Sequence, residues 1–130
     1  MTIDNYEFTS AIEDAFTFRG TYEPRGTFLV VVYSVTNELN VEIQPSTQIS
    51  NEVYITDARG RRWEKADYTG DYGGISGSAA VARDHRQPEE FVPPGFTNTT
   101  AVVFDLPPNA TDGLALVWEE AGIRIPLGAD

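Results

Sequence analysis

The stretch Phe28-Leu29-Val30-Val31-Val32-Tyr33-Ser34-Val35 decides the fold. Most of its residues are β-branched or aromatic, types that fit a pleated strand and lose side-chain freedom in a helix. It is apolar on both parities, the pattern of a central strand covered on both faces, at least in its first half. Gly26 and Asn37 bound it.

Working outward, the same strand–turn–strand signal recurs. Upstream, Tyr6 to Ala11 and Phe16 to Tyr22 read as strands, and Pro24 with Gly26 marks a turn. Between them Glu13 follows Ser10 like a capping box, so a single helical turn is expected over 10–15. Downstream, Val41 and Ile43 alternate with Glu42 and Gln44 as a half-exposed strand. Tyr54 to Trp63 reads as a hairpin, with Gly60 where a positive φ is needed. Residues 66–95 break the pattern with Gly70, Gly73, Gly74 and Gly77, and a long irregular loop is expected there. Within it, Ser76 to Ala82 has room for a short strand or a helical turn. Strands resume at Ala101 to Leu106, Leu114 to Trp118 and Ile123 to Leu127. Seven to nine short strands with turns between them predict an all-β, antiparallel sandwich. The 130 residues predict one domain spanning 1–130.

Composition narrows the function. The net charge is −11, from 20 acidic and 9 basic residues. Nucleic-acid binding relies on a positive stripe that displaces counterions from phosphates, and the one local basic cluster is Arg59, Arg61 and Arg62 on a hairpin tip. No nucleic-acid partner is expected, and an anionic membrane would repel the chain. No stretch approaches the length of an apolar membrane span, so no membrane insertion of this segment is expected. There is no cysteine, which removes disulfides, thiolate metal sites and thiol nucleophiles together.

Three blocks resemble a known family. Pro24-Arg25-Gly26-Thr27-Phe28-Leu29-Val30-Val31-Val32-Tyr33-Ser34-Val35-Thr36-Asn37 resembles the P-x-G-K-F-V-V-V-x-V-T-V-x-N signature of the DUF4352 family. Val53-Tyr54-Ile55-Thr56-Asp57-Ala58-Arg59-Gly60-Arg61-Arg62-Trp63 resembles its F-x-L-x-D-x-x-G-x-x-Y hairpin. Pro94-Gly95 followed by Val102-Val103-Phe104-Asp105-Leu106-Pro107 resembles its P-G and V-V-F-D-V-P block. The blocks keep the family's order. The resemblance implies an immunoglobulin-like sandwich, similar to that of a mycobacterial secreted antigen. It also implies an extracellular or cell-envelope home, in secreted or lipoprotein form. The Met1-Thr2-Ile3-Asp4 start carries no leader, and by itself it leaves a cytoplasmic location open. The family has no assigned active site, so no catalytic residue carries over.

Candidate sites concentrate in the 66–92 loop. Asp67, Tyr68, Asp71, Tyr72, Asp84 and His85 have the composition of a binding loop: tyrosine gives area at low entropic cost, and glycine lets the backbone adapt. His85 is the only histidine, and Gly74-Ile75-Ser76-Gly77 misses the nucleophile-elbow spacing, so no catalytic set is expected. The reading favoured is a non-catalytic interaction domain that takes a protein or small ligand through this loop or a sheet face. Two alternatives use the same carboxylates. One is a calcium-stabilised module, since loop oxygens suit that ion, and calcium is the only cofactor considered. The other is a hydrolase built on paired carboxylates among Asp67, Asp71, Asp84, Glu89 and Glu90.

Overall fold

A computed structural model describes residues 1–13, 20–43, 49, 52–66, 74–86, 91–110 and 112–127. The strands in chain order are β1 (Thr2–Thr9), β2 (Ile12–Glu13), β3 (Thr21–Tyr22), β4 (Thr27–Thr36), β5 (Tyr54–Thr56) and β6 (Arg62–Glu64). A helix, α1 (Gly74–Ala82), precedes β7 (Thr97–Leu106), β8 (Ala115–Trp118), a 3₁₀ turn (Glu119–Ala121) and β9 (Ile123–Pro126).

The stretch that opens the sequence argument is β4, the centre of a three-stranded antiparallel sheet ordered β1-β4-β7. A second antiparallel sheet runs β6-β5-β8-β9, and β2 with β3 forms a separate two-stranded ribbon. With β1, β4, β5, β6, β7, β8 and β9 as strands A, B, C, C′, E, F and G, the orders are A-B-E and C′-C-F-G. That is the immunoglobulin-like arrangement. Among the described residues α1 stands, in chain order, where strand D would lie between C′ and E.

Both faces of β4 are covered, as its apolar parities require. Leu29, Val31, Tyr33 and Val35 face the second sheet and pack with Ile55, Phe104, Leu106, Leu114 and Leu116. Antibody domains pin strand B to strand F with a disulfide. Here apolar packing joins the sheets, each fully buried Leu, Val or Phe contributing about 1.5–3 kcal/mol. Phe28, Val30 and Val32 point the other way, onto Ile75, Ala79 and Ala80 of α1 and Ile12 of β2. Beyond that cover the outer parity turns polar. Ser34 donates to Asp4 at 2.5 Å and meets Thr99 at 2.7 Å, and Thr36 meets Thr97 at 2.7 Å. The double cover thus ends about where the apolar run does.

Three expectations are corrected. Residues 66–95 are not one irregular loop, because α1 fills nine of them. Its buried face is made of small residues, which lets it lie close to the sheet, and Ser76 Oγ accepts the Val103 N–H at 3.2 Å on the side of β7 not paired with β4. Ile12 and Glu13 form the strand β2, not a helical turn. Ile43 makes only an isolated bridge to Val92, not a strand with Val41.

Candidate functional site

An open groove of about 610 Å³ lies where the start of β4, the end of β7 and β6 meet. Trp63, Leu106, Pro107 and Pro108 give it an apolar lining, and Arg25 and Asp105 bring opposite charges to its edge. Gly26 and Ala66 complete it. This mix of flat apolar surface and a few polar groups is typical of ligand sites.

Each part is held from the backbone up. Asp105 accepts the N–H groups of Arg25 at 2.8 Å and Gly26 at 3.0 Å, which fixes the chain just before β4. A glycine is required at 26: a Cβ there would stand 2.0 Å from the Leu106 carbonyl oxygen and 3.0 Å from Pro107 Cα. Trp63 pairs in register with Ile55 and packs on the inner core, leaving the groove only part of its surface. Ala66 donates its N–H to the Val103 carbonyl at 2.7 Å, tying the groove wall to β7.

The hairpin beside the groove engages two of its three arginine side chains, Arg61 and Arg62. Asp57 accepts the N–H groups of Arg59 (3.1 Å) and Arg61 (3.0 Å), and pairs with the Arg61 guanidinium at 2.7 Å. Arg61 also reaches Asn109 at 3.3 Å and lies 5.1 Å from the centre of the Trp63 ring. Arg62 stacks on Tyr54 at 3.7 Å. Tyr54 donates to Glu119 at 2.7 Å; that bond, then burial, holds its phenol above the usual tyrosine value. Burial pushes the Asp57 carboxyl up, but the Arg61 guanidinium, the backbone donors and the Arg61 charge outweigh it, and the net shift is downward.

The depressed Asp57 carboxyl predicts a pH signature. Its stabilising contribution is present above the ordinary carboxylate value and lost as pH falls through its lower folded value. Asp57→Asn should therefore lower Tm at neutral pH, and its deficit should shrink as pH drops below the usual carboxylate range. Melting curves of both proteins across the acid limb measure this.

Of the residues singled out from the sequence, Asp67, Tyr68, Asp71 and Tyr72 lie outside the described residues. Asp84 and His85 are described, and their backbones cap α1. The Asp84 N–H bonds to the Val81 carbonyl at 3.0 Å and the His85 N–H to the Ala80 carbonyl at 2.9 Å, with Asp84 at φ 59°. This is a Schellman cap, whose left-handed position favours glycine. Among the described residues no three His, Asp or Glu side chains gather as metal ligands would.

The cap predicts that Asp84→Gly raises stability by about 0.5–1 kcal/mol, removing left-handed strain and a negative charge from the helix C-terminus. Chemical denaturation checks it; a loss of stability would mean the aspartate side chain holds something else.

Sequence reasoning missed Arg25, Trp63 and Asp105 as site residues, placing Trp63 only at the end of the hairpin. A signal was present: each of the three quoted blocks contributes to this one groove, through Arg25-Gly26, Trp63 and Asp105-Leu106-Pro107.

No protein-family model matches the chain, so the DUF4352 resemblance rests on those three blocks. No curated protein matches it. Among solved structures it is similar to a secreted protein from Mycobacterium tuberculosis, MPT63, at 15% identity and a TM-score of 0.46, over 94% of this chain and 77% of that one. The immunoglobulin-like assignment stands on the strand order itself.

Proposed function

We propose that this chain is a non-catalytic recognition domain working outside the cytoplasm, and that it takes its ligand in the Trp63 groove. The observation that carries the reading is the groove: part of Trp63, two prolines and an Arg25/Asp105 edge brought together at strand ends. Such a surface suits a ring-bearing ligand, a sugar or a proline-containing peptide, that stacks on Trp63 and places a polar group toward Arg25.

Of the groups weighed for catalysis, the hydroxyl of Ser76, the serine nearest to an elbow pattern, accepts a backbone N–H, and the Asp84 and His85 backbones serve a cap, which supports a binding role. The envelope location is supported by the family resemblance. Among the described residues, no helix is long and apolar enough to cross a membrane. The tyrosine-bearing segment 67–73 follows Ala66 directly in the sequence, so the loop singled out there begins at the groove wall.

Glycan and peptide arrays probed with wild type, Arg25→Ala, Trp63→Phe and a 67–73 linker replacement test the reading. Arg25 is exposed and its substitution should leave Tm unchanged. Binding that falls in Arg25→Ala and Trp63→Phe supports the groove; binding unchanged in both rejects it. Loss confined to the linker replacement would move the site to the loop.

A further inference from the structure

A second surface lies away from the groove. Four large apolar side chains stand in solvent on two segments: Leu39 (58% exposed) and Val41 (62%) after β4, and Phe91 (58%) and Phe96 (61%) before β7. The segments are cross-linked through Asn37, which is itself fully buried. Its Nδ2 donates to the carbonyls of Val41 at 2.8 Å and Val92 at 2.7 Å, and its Oδ1 accepts the Leu39 N–H at 2.8 Å. Its backbone donates to Phe96 at 2.9 Å and accepts from Gly95 at 2.8 Å, and Ile43 bridges Val92. The exposed residues are therefore carried on two segments braced to each other, which form the platform. Exposed apolar clusters on a braced surface mark contact sites.

Charge says what would cover it. Glu38 and Glu42 flank Leu39 and Val41, and Glu89 and Glu90 precede Phe91 in the sequence. The stretches 26–58 and 87–123 contain no Lys, Arg or His at all. The nearest described basic residue by register is Arg86, whose backbone bonds to Thr99. A second copy of this chain would bring the same acidic rim and a net charge of −11 to the contact, which repels. An apolar centre with an acidic rim complements the opposite pattern.

We infer that the Leu39/Val41/Phe91/Phe96 platform docks a basic, amphipathic segment of another protein, its apolar residues on these four side chains and its Lys or Arg on Glu38 and Glu42. This surface is independent of the groove and stands or falls separately from it.

The test titrates isotope-labelled protein with three synthetic peptides: Leu/Lys amphipathic, Leu/Glu amphipathic, and Ser/Lys of equal charge. The Leu/Lys peptide should shift amides in 37–43 and 91–97, weaken with added salt, and bind at least about tenfold more tightly than either control. Phe91→Ser/Phe96→Ser, which keeps every charge, should weaken it by about tenfold or more. Equal binding by the Ser/Lys peptide, shifts outside these segments, or no Leu/Lys binding would each overturn the inference. So would saturable partitioning of the wild type onto phosphatidylcholine vesicles that the double variant lacks, since that assigns the platform to lipid. If the double variant fails to fold, the amide map of the wild type decides alone.

Discussion

Asn37→Ala should lower unfolding free energy by about 3–4 kcal/mol, among the largest effects of any single substitution outside the apolar core. Asn37 is fully buried, and its side chain makes three hydrogen bonds of 2.7–2.8 Å to backbone groups. Alanine removes all three: the Val41 carbonyl and the Leu39 N–H lose this partner, and the Val92 carbonyl keeps only the Ile43 N–H at 3.3 Å. Each lost hydrogen bond contributes about 0.5–1.5 kcal/mol net. Asn37→Asp is the sharper variant. It keeps the shape but faces the Val41 and Val92 carbonyls with an anion, so its destabilisation should exceed that of alanine at neutral pH and ease in acid. Urea denaturation measures the loss, and hydrogen exchange should place it in 37–43 and 91–97 before the rest of the sheet. A loss within about 0.5 kcal/mol of wild type would mean that Asn37 does not brace these segments.

Gly26→Ala should cost about 3 kcal/mol and disturb the groove at the same time. The obstacle is backbone, not a flexible side chain: the new methyl would meet the Leu106 carbonyl oxygen at 2.0 Å. Relief requires β4 and β7 to separate where Thr27 pairs with Leu106, which also loosens the Asp105 bonds to Arg25 and Gly26. Gly60→Ala is the control. It sits at φ 80° with open space around its Cβ, so it bears conformational strain of about 1–2 kcal/mol and no clash. The two variants should therefore differ in where exchange accelerates: at the β4–β7 end for Gly26→Ala, and at the hairpin tip for Gly60→Ala.

Much of the sandwich was legible because long strands write their cover into their parity. Residues 28–33 announced a doubly covered strand, and the polar outer ladder at Ser34 and Thr36 begins where the cover ends. The hairpin was legible from Asp57 and Gly60, whose chemistry is local. The helix was not. Its buried residues Ile75, Ser76, Ser78, Ala79 and Ala80 are mostly small, so they make no apolar stripe, and Gly77 argues against helix on propensity. Only contact with β4 and β7 makes that segment worth ordering. The groove was hidden for a related reason. Arg25, Trp63 and Asp105 are far apart in sequence, and strand pairing alone brings them together. Asp84 misled because a carboxylate in a polar stretch looks like a ligand, while its backbone serves a cap.

The proposed function rests on ligand recognition at the Trp63 groove. The most direct measurement is an amide and indole chemical-shift map of the wild-type protein against a fragment set of monosaccharides, aromatic acids and proline dipeptides. Saturable shifts centred on the Trp63 indole N–H and the amides of Arg25, Gly26, Asp105 and Leu106 are expected. Saturable shifts elsewhere with those five silent, or no saturable shift from any fragment, would contradict it.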